Sequence, residues 1–201
     1  MEQTNSTRTR RRRWLALAAV PLAAWWVATH VNLNGAHHPG DVVDRFNGVA
    51  VYYNGAIDHD AGRNLAPEGY NLGLRWQCVE FVKRYYYEHY GHRMPEARGN
   101  AREFFDAGIR NGAMNPARGL LQFRNDGSGL PQVGDIVIFD GWLANPYGHV
   151  AIVSQVDHEG IEVVQQNPGP FGVSRERFAI GMVDGQPRVA AHRLLEWLRL
   201  P

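Results

Sequence analysis

Trp76-Gln77-Cys78-Val79-Glu80-Phe81 holds the only cysteine of the chain, at the point where a loop turns into an amphipathic helix. From Cys78 onward, Phe81, Val82, Tyr85 and His89 follow at i+3, i+4, i+7 and i+11, one stripe of a 3.6-residue period, and Gly91 supplies the stop. The spacing predicts a helix that starts at Cys78 and packs the cysteine side against the rest of the domain. A thiol at a helix N-terminus sits at the positive end of the macrodipole, which favours the nucleophilic thiolate. The competing reading is an inert buried cysteine. The rest of the chain has to decide between them.

Downstream, the pattern changes from helix to strand. A second helix is expected over Ala101–Ala107, then a Gly/Asn/Pro-rich excursion over residues 111–130. After the turn at 131–134, Asp135-Ile136-Val137-Ile138-Phe139 reads as a core strand, followed by the loop 140–148. The next strand runs from His149 to Val156, and Asp157-His158-Glu159-Gly160 connects it to a strand from Ile161 to Asn167. Upstream, residues 48–55 form a short strand between glycines, and 56–75 a long polar approach to Cys78. A helix ahead of an antiparallel sheet makes the chain α+β.

The 201 residues, 44% hydrophobic, suffice for one well-cored domain and exclude a disordered protein. The net charge of +1 conceals a split, because Arg8 and Arg10 to Arg13 precede an uncharged stretch from Trp14 to Val31. Without residues 1–13 the chain is slightly acidic, so nucleic-acid binding has no support. At about 1.5 Å per helical residue, 14–31 approaches the thickness of a bilayer core. We read 1–13 as a basic cytoplasmic tail, 14–31 as a signal anchor or signal peptide, 32–45 as a linker and 46–201 as the domain. The arginines then stay inside, and the domain lies outside the inner membrane, anchored or periplasmic. His37-His38 are linker residues, and no metal or organic cofactor is implied.

A cysteine nucleophile needs a base and a group that orients the base. His149 is the best base of the nine histidines, since it opens a core strand directly after Gly148, at the rim of a cleft. Gln165 and Asn167 alternate onto one face of the following strand. They face the same way as His149 if the connection is odd in length. With 156 opposite 161 the parity fails unless a bulge intervenes. Both are amides, able to fix the imidazole tautomer but without charge to stabilise an imidazolium.

Taken together, residues 76–81, Gly134–Phe139, Gly148–Val153 and Gln165–Asn167 resemble the ordered motifs of the CHAP family, the cysteine, histidine-dependent amidohydrolases/peptidases. Within that family the chain resembles the amidase domain of bifunctional glutathionylspermidine synthetase/amidase, which has a Gly-Val-Ala-x-Tyr strand like Gly48–Tyr52. The resemblance implies a papain-like fold with Cys78 as nucleophile and His149 as base. In many members a glutamate stands where this chain has Gln165. An oxyanion would find donors in the Cys78 backbone N–H and in Gln77. Trp76 and Tyr147 are either apolar cleft walls or ordinary packing aromatics. The expected substrate is an amide, either in peptidoglycan peptides, which an exported domain would meet, or in a small γ-glutamyl conjugate such as glutathionylspermidine. A membrane-tethered binding module that has lost catalysis through Gln165 is the alternative of another class.

Overall fold

The structure, a computed structural model, describes residues 20–143, 145–169 and 171–201. The basic tail and the first part of the expected anchor lie outside the described residues. Residues 20–30 are helical (α1). Among the described residues no helix is long and apolar enough to cross a membrane.

The segment expected as a linker contains a strand, β1 (Val42–Phe46), which pairs antiparallel with β2 (Val49–Tyr52). Its place in the domain is fixed by charge, since Asp44 takes hydrogen bonds from Arg175 Nε at 2.8 Å and Ser174 Oγ at 3.0 Å. The polar approach to Cys78 likewise folds back on itself, as the hairpin β3 (Arg63–Leu65) and β4 (Asn71–Leu74). Gly73 in β4 has φ +133°, and a Cβ there would lie 3.0 Å from the Glu80 backbone. This glycine lets the hairpin lie directly against the next helix.

That helix, α2, is Cys78–Tyr90, with Gly91 as its left-handed C-cap at φ 65°. Both ends fall where the sequence pattern puts them. Phe81, Val82, Tyr85 and Tyr86 of α2 are buried. The expected second helix shortens to a single 3-10 turn, Ala101–Phe104. Phe105 is already extended, and the Asp106 N–H leaves to the Gln122 side chain at 3.1 Å. The supposed excursion supplies two strands, β5 (Ala113–Asn115) and β6 (Leu120–Arg124).

The remaining strands are β7 (Ile136–Phe139), β8 (His149–Val156), β9 (Gly160–Val164), β10 (Arg175–Val183), β11 (Gln186–Val189) and β12 (Leu194–Arg199). With β5 and β6 they form an eight-stranded antiparallel sheet in the order β11-β10-β9-β8-β7-β12-β6-β5. Its centre is buried on both faces. Ile136, Ile138, Val150 and Ile152 pack with α2, whereas Val137, Phe139, Ala151 and Val153 pack with Ile161, Val163 and Trp197. Two-sided burial explains why β7 and β8 read as nearly continuous apolar runs.

Candidate active site

Gln77 has extended backbone and Cys78 is the first residue of α2. The Cys78 side chain is 9% exposed, at the floor of a cleft of about 770 Å³. His149, Gln77, Tyr147 and Asn167 line the same cleft. Its walls carry both signs of charge, with Asp58 and Asp60 as well as Arg63 and Arg98. The end of α1 borders it too: His30 contributes to the lining, and the Asp58 N–H donates to the Thr29 carbonyl at 2.9 Å.

His149 enters from the start of β8. Gly148 before it has φ +77°, and a Cβ there would sit 2.6 Å from the Phe139 carbonyl oxygen. Only glycine turns the chain tightly enough to place the imidazole at the end of the sheet. Across the hairpin, Val156 stands opposite Ile161, but the register shifts between Val153 and Gln155, so that Ile152 stands opposite Val164. This is the bulge the parity argument requires. It brings Gln165 onto the face of His149, with Nε2 of the ring 2.9 Å from Gln165 Oε1.

The tautomer follows from the far side of the amide. Gln165 Nε2 donates to the Val173 carbonyl at 3.2 Å and to Glu176 Oε2 at 3.1 Å, both acceptors only. The amide oxygen therefore faces the ring, His149 Nε2 carries the proton, and Nδ1 is the free basic nitrogen. Burial lowers the pKa of His149 to about 4, the Gln165 hydrogen bond opposes this, and the charge of Arg193 adds to it. Burial also pushes the Cys78 thiol up, against the hydrogen bonding of the Val150, Val79 and Cys78 backbone N–H groups. At neutral pH the resting side chains are thus thiol and neutral imidazole. The helix N-terminus alone does not give the thiolate that the sequence reading expects.

Three other residues singled out in the sequence take different places. Asn167 does not orient the imidazole; with φ +55° it has left the strand direction, and its Nδ2 donates to Gln77 Oε1 at 2.7 Å and to the Ile57 carbonyl at 3.0 Å. Gln77 is equally committed, because its Nε2 donates to the carbonyls of His59 at 2.8 Å and Ile57 at 3.2 Å and its backbone N–H to Leu74. Gln77 thus braces the loop over the cleft, and of the proposed oxyanion donors the Cys78 backbone N–H is the one that remains. Trp76 packs on Tyr52 in a tilted pair, with ring centroids 4.2 Å apart, and is absent from the cleft lining, whereas Tyr147 lines it.

Behind Cys78 lies a buried polar network that periodicity does not signal. Glu80 takes hydrogen bonds from Asn64 Nδ2, Arg84 Nε and Gln166 Nε2 at 2.6–2.8 Å. Gln166 also donates to the Gln77 carbonyl at 3.0 Å and accepts from the Tyr52 N–H at 2.8 Å. It ties β2, the start of α2 and the end of β9 together. The i,i+4 spacing of Glu80 and Arg84 was the available clue.

Comparison with known proteins adds the following. The CHAP domain pattern matches residues 69–167. Glutathionylspermidine synthase of Crithidia fasciculata is 34% identical over 105 residues, 49% of this chain and 14% of that protein. Bifunctional glutathionylspermidine synthetase/amidase of Escherichia coli is 33% identical over 98 residues, 48% of this chain and 16% of that protein. The matches thus span only a small part of these curated relatives. Among solved structures, Ly7917 superposes with a TM-score of 0.44 at 20% identity, covering 62% of this chain and 53% of that one.

Proposed function

From a chain that carries a CHAP domain over residues 69–167, a domain of amidohydrolases and peptidases, we propose a thiol-dependent amidohydrolase in which Cys78 is the nucleophile and His149 the base. The observation that carries the reading is the opening of one cleft onto Cys78 at a helix N-terminus and onto His149, with Gln165 reserving Nδ1 for the thiol proton. Cys78 Sγ adds to the amide carbonyl as its proton passes to His149 Nδ1. The Cys78 N–H holds the oxyanion. Collapse breaks the C–N bond, and the imidazolium protonates the departing amine. Water, deprotonated by His149, then hydrolyses the thioester and returns the thiol.

As substrate we propose an amide bond in peptidoglycan peptides. The arginine cluster ahead of the apolar run 14–31 supports an exported, membrane-anchored domain, and such a domain meets the cell wall. The end of α1 beside the cleft fits an anchor that keeps the site near the membrane surface. A second reading, cleavage of glutathionylspermidine, has its support in the identity over about half the chain to proteins of that name.

The test is mass spectrometry of products after the full chain is incubated with purified peptidoglycan and, separately, with glutathionylspermidine, beside Cys78→Ala and His149→Ala. New muropeptide ends that depend on both residues are the expected result. Release of glutathione and spermidine would replace the substrate assignment. Products that persist in either variant, or no product from either substrate, would overturn the catalytic reading in favour of another nucleophile or a binding module.

A further inference from the structure

The residue that holds the imidazole is neutral, yet the next residue in the same chain of contacts is not. His149, Gln165 and Glu176 occupy β8, the end of β9 and β10, successive strands of one sheet. Glu176 stands opposite Val163, so it reaches Gln165 diagonally, across the spacing that long side chains bridge on one sheet face. The contacts run from His149 Nε2 to Gln165 Oε1 at 2.9 Å and from Gln165 Nε2 to Glu176 Oε2 at 3.1 Å.

Glu176 is an exposed position of β10, and Gln165 is the side chain that engages its carboxylate among the described residues. Among the described residues it makes no ion pair, and its neighbours on β10 turn away, Arg175 to Asp44 and Glu162 and Arg177 to Asp157. His149 meets Gln165 and Phe139 and feels the cation Arg193 from the loop before β12, and it shares its cleft with Cys78, Asp58, Asp60, Arg63 and Arg98. Glu176 reaches it through Gln165, as the carboxylate that meets that amide.

We infer that Glu176 is a positioning residue for the Cys78–His149 pair, supplying through the Gln165 amide the negative charge that Gln165 itself lacks. It acts twice. A carboxylate accepts only, so it forbids the flipped amide that would present N–H groups to the ring and leave His149 in the wrong tautomer. Its charge also favours the imidazolium that forms when the thiol gives up its proton. The arrangement is a glutamate–imidazole couple displaced by one strand, with an amide interposed. A consequence is that Gln165→Glu alone is no improvement, because it sets a carboxylate against Glu176 and the Val173 carbonyl with no proton donor between them.

The inference rests on the reading of Cys78 and His149 as the reacting pair, and one experiment separates the two. Iodoacetamide labelling of the full chain from pH 5 to pH 10, quantified on the proteolytic peptide that carries the only cysteine, reports Cys78. At pH 6 labelling depends on the fraction of thiol whose proton sits on His149; at pH 10 it does not. Glu176→Gln is expected to slow labelling at pH 6 by about tenfold, the equivalent of one pKa unit, and to leave the rate at pH 10 unchanged. The double variant Gln165→Glu, Glu176→Gln reverses the pair, with the amide on β10 donating to the carboxylate on β9, and is expected to restore or exceed the original rate at pH 6. An unchanged rate at pH 6 in Glu176→Gln, a loss of equal size at both pH values, or failure of the double variant to recover would each overturn the inference. If His149→Ala leaves the pH 6 rate intact, the reacting pair itself is wrong. If it abolishes that rate while Glu176→Gln does nothing, only the role of Glu176 falls.

Discussion

In the resting state, Cys78 is expected to be largely an unreactive thiol at neutral pH. Moving its proton to His149 runs from a thiol held above 9.0 to an imidazole at about 4. The gap is thus at least about five pH units and costs about 7 kcal/mol or more. A thiolate and an imidazolium in contact, about 4 Å apart in surroundings of effective dielectric near 20, recover about 4 kcal/mol. The remaining deficit of about 3 kcal/mol leaves the ion pair in fewer than about one molecule in a hundred. The rate of alkylation by iodoacetamide against pH should therefore show a low plateau below about pH 7, at or under about one hundredth of the limiting rate. Above it the rate should climb tenfold per pH unit to an inflection beyond pH 9. His149→Ala should remove the plateau and spare the climb. A plateau close to the limiting rate would refute the reasoning, since it would mean that an armed thiolate exists before substrate binds.

Three further outcomes follow from the same contacts. Glu196 in β12 is fully buried with neither carboxylate oxygen hydrogen-bonded among the described residues, and burial raises its pKa from 4.5 to about 8. The folded state keeps a proton that the unfolded chain has already lost, so stability falls as pH rises from about 4.5 to about 8 and is level above. Urea unfolding at pH 5 and pH 9 should show wild type losing stability relative to Glu196→Gln, by up to about 4 kcal/mol; parallel behaviour of the two would refute it. Gln166→Leu leaves Glu80 with one partner fewer and strips the Tyr52 N–H and the Gln77 carbonyl, a loss of about 3 kcal/mol or more visible in Tm. Gly148→Ala forces a Cβ against the Phe139 carbonyl at positive φ, and should cost about 1–3 kcal/mol of stability while reducing turnover far more than Tm suggests. Turnover retained in that variant would show that Gly148 does not aim His149.

What the sequence made legible was whatever repeats with a local period. The start of α2 at Cys78, its stop at Gly91 and the apolar strands β7 and β8 all follow from spacing alone. The elements misread were those whose justification is a distant partner. β1 looked like a linker because what ties it to the domain beyond its hairpin with β2, Asp44 on Arg175, lies 131 residues away. β5 and β6 were hidden by turn residues in a segment stabilised by the polar contacts of Asn115, Gln122 and Arg118 with the 3-10 turn and the loops around it. Gln77 and Asn167 both line the cleft, but their amides are engaged with each other and with the loop at Ile57, since hydrogen-bond partners are a property of assembled loops.

The orienting group shows how far such reasoning reaches. Period-two alternation put Gln165 and Asn167 on one face, and parity demanded a bulge before either could meet His149. The bulge exists between Val153 and Gln155, and the left-handed φ of Asn167 then removes it from the contest and leaves Gln165. Glu176 was beyond this logic, because nothing in its own neighbourhood in the sequence, Arg175-Glu176-Arg177, distinguishes it from a solvated charge on an edge of a hairpin. Only the register of β9 on β10 reveals that both arginines are engaged elsewhere and that the glutamate backs the amide. An amide at position 165 read alone signals a weakened site; read with Glu176 behind it, it signals a carboxylate moved one strand outward.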